Sequence, residues 1–183
     1  MFSAPEKNIE QLALDKDQVI ADFGAGSGAY TLAAAKALHG RGKVYAIDVQ
    51  KDILTRLQNT CSDEHIGNVT CIWGDIEKLG GTKIRDDSCD LVIISNVLFQ
   101  APDKKTILEE AKRVLHWGGR LLIIDWTASF NSMGPTQEQV FPESAARALA
   151  EQLNFLFDQS LNAGNYHYGM IFRKVRPQVS AQH

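Results

Sequence analysis

Short apolar runs rich in β-branched residues alternate with segments of helical periodicity along the 183 residues, and this alternation narrows the fold more than any other feature. Parallel strands need long crossovers, usually helices, so the pattern points to βαβ units around a mostly parallel sheet. Strands are predicted at 18–23, 43–48, 69–73, 90–95 and 120–125. The fourth, DLVIIS, is a nearly continuous apolar run suited to a strand buried on both faces. Helices are predicted at 29–38, closed by Gly40 and Gly42, at 51–60, with Ile53, Leu54 and Leu57 on one face, and at 104–115, capped by Asp103 and stopped by Gly118 and Gly119. Residues 76–87 read as a loop or a single helical turn. After an irregular stretch at 126–141, Pro142 starts a helix to Leu153, and runs at 155–161 and 168–175 are joined by a short connection containing Asn162, Ala163, Gly164 and Asn165. That connection is too short for a parallel crossover, so the sheet is expected to end antiparallel. One domain over 1–183 is expected, with an N-terminal helix at 1–17 and a tail at 177–183.

A formal charge of −3 with scattered lysines and arginines gives no footprint for a phosphate backbone, so nucleic acid is disfavoured as a partner. No apolar run approaches the roughly 20 residues of a membrane span, and the first residues lack the apolar core of a signal peptide, so a cytoplasmic location is expected. Cys61, Cys71 and Cys89 are odd in number and form no CxxC pair, which fits reduced, structural thiols. With His65 they lack recognised ligand spacing, and no metal site is expected.

The chemistry-bearing feature is Asp22-Phe23-Gly24-Ala25-Gly26-Ser27-Gly28, placed where the first strand turns into the first helix. Glycines there let backbone approach a ligand closely, and the helix N-terminus is expected to offer free amides. The alternative is a tight turn with no ligand. Gly24, Gly26 and Ala29 also satisfy a G-x-G-x-x-A dinucleotide pattern with an acid, Asp48, downstream. Asp22 discriminates, because a carboxylate repels a pyrophosphate and attracts the ammonium and sulfonium of S-adenosylmethionine. Asp48, ending the second strand, is placed to accept both ribose hydroxyls, or else to cap the next helix. Asp75 and Ile76 stand on the same edge, where the acid can accept an adenine amino group and Ile76 can donate its amide, while Val49 packs on the adenine face. Asp75 alone would read as a turn aspartate.

These residues, with S-N-V-L-F at 95–99 and L-H-W-G-G-R at 115–120, resemble the ordered motifs of class I S-adenosylmethionine-dependent methyltransferases, closest to the branch with quinone-biosynthesis and type 11 methyltransferases. The resemblance covers nearly the whole chain; His116 and Trp117 replace a usual Lys-Pro on what is expected to be a structural turn. It implies a Rossmann-like, doubly wound seven-stranded sheet of order 3-2-1-4-5-7-6 with strand 7 antiparallel. It also implies that Ser95 and Asn96 border the methionyl group and the acceptor.

Methyl transfer is an in-line displacement on an activated carbon, so the main task is positioning and water exclusion. Where the acceptor must lose a proton, Asp125, Tyr166, His167 and Tyr168 are the candidates at the carboxyl edge, with Asp125 and His167 foremost. His39, His65 and His116 fall on the opposite edge. Arsenite as acceptor would need thiols on the acceptor side, where no cysteine is expected. Trp126 is the tryptophan placed to meet an acceptor. The insert at 126–141 is modest, so either the pocket is open to a large acceptor, or this segment or a second subunit in a homodimer closes it; the acceptor is a small molecule or an exposed group on a larger one. Two other readings stand beside this one, a nicotinamide-dependent oxidoreductase and a non-catalytic S-adenosylmethionine-binding module.

Overall fold

In the computed structural model, which describes residues 4–130 and 134–176, the apolar runs pair as β1 (Val19–Phe23), β2 (Lys43–Asp48), β3 (Val69–Trp73), β4 (Cys89–Ser95), β5 (Leu115–Trp126), β6 (Phe155–Ser160) and β7 (His167–Lys174). They form one sheet in the order β3-β2-β1-β4-β5-β7-β6. The first five are parallel, and β7 runs antiparallel between β5 and β6. The implied topology is therefore the observed one. The helices are α1 (Pro5–Glu10), α2 (Ala29–Ala37), α3 (Lys51–Asp63), α4 (Lys104–Val114) and α5 (Glu143–Gln152).

Strand periodicity divides the core between the two faces of the sheet. Phe23, Ile94, Ile123 and Phe172 pack with Ile107 and Val114 of α4 and Ala146 of α5. Ile20, Ile93, Ile124 and Ile171 meet α1 and α2 on the other face. Each such side chain, fully buried, stabilises the fold by roughly 1.5–3 kcal/mol. The same alternation decides which way the residues at the strand ends face.

Three expectations are corrected. β5 begins directly at the end of α4, because Cys89 pairs with Leu115 and Leu91 with Arg120, leaving 116–119 looped out as a bulge inside the strand. His116 is anchored there by Asp90, whose other oxygen accepts the Val19 amide at 2.7 Å. The N-terminal helix is limited to six residues, Pro5–Glu10, and the chain leaves helical geometry at Ala13, where φ is +45°. β7 starts at His167, placing that residue in the ladder rather than in the hairpin turn. The expected tail at 177–183 lies outside the described residues, as does 131–133 of the irregular segment.

The thin crossover between β3 and β4 contains no helix, and a buried carboxylate organises it. Glu110 of α4 is fully buried and accepts from the amides of Gly80 (2.8 Å) and Thr82 (3.2 Å), from the Thr82 hydroxyl (2.5 Å) and from Arg113. Burial pushes its carboxyl up, but the guanidinium and the other donors outweigh that and hold it below the ordinary carboxylate range. Removing it leaves the Gly80 and Thr82 amides without an acceptor, while Arg113 keeps Asp86 and the Ile84 carbonyl, so Glu110→Ala should lose about 1–3 kcal/mol of stability. Urea unfolding measures this; an unchanged midpoint would mean the crossover is anchored elsewhere.

Candidate active site

A cavity of about 660 Å³ opens at the carboxyl edge of the central strands, where open α/β sheets seat their ligands. Its floor is the loop after β1. Gly24, Gly26 and Gly28 all have positive φ, at +72°, +52° and +83°, a conformation that only glycine adopts without strain. Their jobs differ. The Gly24 and Ala25 amides both donate to the Ile47 carbonyl at 2.9 Å, and Gly26 donates to Asp48 Oδ2 at 3.0 Å. A Cβ at Gly26 would meet only open space and the Gly24 carbonyl at 3.9 Å, whereas one at Gly28 would lie 2.2 Å from Leu57 of α3. Gly28 is thus a packing glycine outside the cavity lining, while Gly24, Ala25 and Gly26 line it. Within the loop the amides of Gly24, Ala25, Gly26 and Gly28 are all bonded inside the protein.

Four acids, Asp22, Asp48, Asp75 and Glu77, line the cavity, and among the described residues no lysine or arginine does. Asp22 is buried on the α2 face and accepts from the Thr31 hydroxyl at 2.6 Å. Burial raises its carboxyl to about 6, against the opposing Thr31 bonds and with a further upward push from Asp48. Asp48 accepts from Gly26 with one oxygen and from the Gln50 amide with the other at 2.9 Å, leaving lone pairs on both. Asp75 makes an ion pair with Lys78 and accepts from Glu77; Lys78 above all holds it below the usual range. It therefore does what a turn aspartate does while also lining the cavity beside Ile76. Val49 is 56% exposed and lines the same end.

At the end of β4 the buried Ser95 Oγ and Asn96 Oδ1 make no hydrogen bond to the described residues. Asn96 has φ +56°, held by its amide donating to the Ile124 carbonyl at 2.9 Å. Both residues line the cavity, where a ligand could satisfy them.

Cross-strand pairing sorts the acceptor-side candidates. Trp126 pairs with His167 and Asp125 with Tyr168, so each pair shares one face. Trp126 and His167 line the cavity; Asp125 and Tyr168 do not. Asp125 is fully buried and accepts from Trp126 and Phe99 amides at 2.8 and 3.1 Å; burial raises its carboxyl to about 6 despite those bonds. Tyr168 donates its hydroxyl to the Phe141 carbonyl at 3.1 Å, which ties down the irregular segment. Sequence reasoning missed Pro5 and Tyr30, which also line the cavity, with Asn8 of α1 donating to the Tyr30 hydroxyl at 2.7 Å. A tyrosine in the first turn after the glycine loop was a legible signal; a six-residue helix folding back over the site was not. Cys61 and Cys71 lie in α3 and β3, and Cys89 begins β4 at the far edge; no cysteine lines the cavity.

A family described as methyltransferase domain matches residues 14–167, and the chain belongs to it. Human arsenite methyltransferase is 36% identical over 113 residues, covering 58% of this chain and 30% of that protein. Demethylmenaquinone methyltransferase of Geobacillus sp. (strain WCH70) is 27% identical over 120 residues, 66% of this chain and 50% of the relative. The chain thus spans from about a third to a half of the length of these curated relatives. The crystal structure of a SAM dependent methyltransferase from Aquifex aeolicus superposes with a TM-score of 0.86 at 26% identity, over 95% of this chain and 91% of that one.

The buried acid at Asp22 has a measurable signature. Its folded pKa of about 6 lies above its ordinary 3.8, so the fold favours the protonated form, and the stability this contributes is present below pH 4 and lost as pH rises through 6. Asp22→Asn mimics the protonated acid and should stabilise the unliganded protein at pH 7 by up to about 3 kcal/mol, with no difference at pH 4. Thermal unfolding across this range checks it; a mutant less stable at pH 7 would show that the ionised acid is well solvated instead.

Proposed function

We propose that this chain binds S-adenosylmethionine and transfers its methyl group by in-line displacement to a separate acceptor. The observation that carries this is the charge and bonding of the first loop. The amides of Gly24, Ala25, Gly26 and Gly28 already serve Ile47, Asp48 and Ala25, and among the described residues the charged side chains lining the cavity are all acids. That arrangement disfavours the pyrophosphate of a nicotinamide cofactor and favours an ammonium or sulfonium. It also suits the methyltransferase family to which the chain belongs.

In this reading Asp22 attracts the methionyl ammonium, directly or through water, and Asp48 accepts from the ribose hydroxyls. Asp75 and Ile76 meet the adenine edge, with Val49 against its face. Ser95 Oγ and Asn96 Oδ1 gain partners from the methionyl end and the acceptor. When bound, the cofactor supplies a methyl group on a positively charged sulfur. The protein's share is positioning and exclusion of water, to which Pro5 and Tyr30 contribute from the α1–α2 side. Asp125 acts from behind, holding the Phe99 and Trp126 amides, while His167 faces the acceptor. Arsenite is disfavoured as acceptor because the chain's thiols lie away from the cavity. Among the described residues no helix is long and apolar enough to cross a membrane, and we place the protein in the cytoplasm, acting on a small acceptor or an exposed group of a larger one. A second subunit would complete the acceptor side if the segment at 126–141 does not.

Calorimetric titration with S-adenosylhomocysteine and, separately, with NADH tests the assignment. Saturable binding of the first and none of the second is expected; tight NADH binding with no response to the homocysteine product would overturn it. Gly26→Ala places a methyl group in the open space of the cavity and should weaken S-adenosylhomocysteine binding at least tenfold while the circular dichroism spectrum stays unchanged. Wild-type affinity in this variant would show that the ligand does not cross the first loop.

A further inference from the structure

The acceptor end of the cavity has a chemical character of its own, and it narrows the acceptor; this inference rests on the methyl-transfer reading above. The acids all stand on the β1, β2 and β3 side, at Asp22, Asp48, Asp75 and Glu77. Beyond β4, on the ends of β5 and β7, the lining residues are Trp126 and His167. Their rings lie 4.3 Å apart, centroid to centroid, at 39°. Behind them Phe130 packs on Trp126 at 6.5 Å and meets Tyr166 edge-on at 4.5 Å. Gly134 closes against the Trp126 ring, where an added Cβ would sit 2.7 Å away. The wall is therefore a packed aromatic surface carried by two neighbouring strands, about 5 Å apart.

Charge selects against two acceptor classes. A carboxylate or phosphate would be desolvated there with no lysine or arginine among the lining residues. An ammonium would find no free carboxylate, since Asp125 is on the other face with both oxygens accepting backbone amides. Either ion would lose several kcal/mol of hydration without return. A flat neutral molecule instead gains ring contacts.

His167 supplies the remaining constraint. It is 6% exposed, and neither ring nitrogen has a hydrogen-bond partner among the described residues. Buried polar atoms are seldom left so, and a ligand hydroxyl facing the ring would satisfy one. We infer that the acceptor is an uncharged aromatic hydroxyl compound of one or two rings, seated against Trp126 with its O–H directed at a ring nitrogen of His167. Burial lowers the imidazole below its ordinary pKa, so it is neutral at pH 7 and has a lone pair to offer. In the step, the O–H bond breaks and its proton passes to the imidazole. The oxygen electron pair bonds the methyl carbon, and the carbon–sulfur bond breaks with its electron pair remaining on sulfur. Methyl ether, neutral thioether and imidazolium result, and the imidazolium returns its proton to water when the product leaves.

Three probes sharing one ring system test this: 2-naphthol, 2-naphthoate and 2-naphthylmethylamine, titrated calorimetrically into the protein saturated with S-adenosylhomocysteine. The neutral hydroxyl should bind at least tenfold more tightly than either ion, and Trp126→Leu should weaken its binding at least tenfold. With S-adenosylmethionine, 2-methoxynaphthalene should form. His167→Gln should then lower kcat by about 10²–10⁴-fold, the range of general base catalysis, with KM changed less than threefold. Preference for the carboxylate or the amine, or binding of none of the three to the saturated protein, overturns the acceptor assignment while leaving the cofactor reading intact. A kcat unaffected in His167→Gln overturns the role of the imidazole. Failure to saturate with S-adenosylhomocysteine overturns the underlying reading instead.

Discussion

Three backbone amides of the first loop, those of Gly24, Ala25 and Gly26, are bonded to the end of β2, and they set the layout of the carboxyl edge. Because two of them converge on the single carbonyl of Ile47, the loop turns tightly and α2 starts close above the sheet. That brings Thr31 to Asp22 and leaves no room for a side chain at Gly28, where Leu57 of α3 fills the space. A local backbone choice that favours glycine thus sets the positions of two helices and the floor of the cavity.

The same edge holds much of the molecule's unfavourable electrostatics. Asp22 and Asp125 are buried acids whose ionised forms the fold disfavours, and Asn96 sits in a left-handed conformation with its side-chain oxygen unpartnered. None of these helps the unliganded chain fold. A polar, cationic ligand would relieve Asp22 and Asn96 together, which is the usual reason for such arrangements to persist at functional sites. Away from this edge the polar groups are well matched, as Glu110 with its amides and Arg113 illustrates.

Much of this was legible in the sequence, for identifiable reasons. The βα alternation and the short hairpin connection dictated the parallel sheet and its antiparallel end, since both depend only on connection length and period. The strand order came from resemblance, because periodicity does not say which strand neighbours which. Spacing could not separate Gly28 from Gly24 and Gly26, as the distinction depends on α3, which is distant in sequence. Asp125 and His167 both read as carboxyl-edge residues. What divides them is the parity of strand residues, with Trp126 and His167 on the α1–α2 face and Asp125 and Tyr168 on the other, and parity becomes informative only once the cavity's side of the sheet is known. The bulge at 116–119 was hidden because paired glycines look the same whether they end a helix or interrupt a strand.

The wholly acidic charged lining of the cavity also bears on how the site empties after methyl transfer. On the proposed reaction the bound cofactor enters with a cationic sulfur and ends with a neutral one. The carboxylates of Asp22, Asp48, Asp75 and Glu77 therefore hold the spent cofactor with one fewer attractive charge than the fresh one. No moving part is needed for this discrimination, which lies in fixed charges around the site. The exchange of used cofactor for new is favoured by the same acids that admit it, and added salt, by screening them, should erode the distinction between the two.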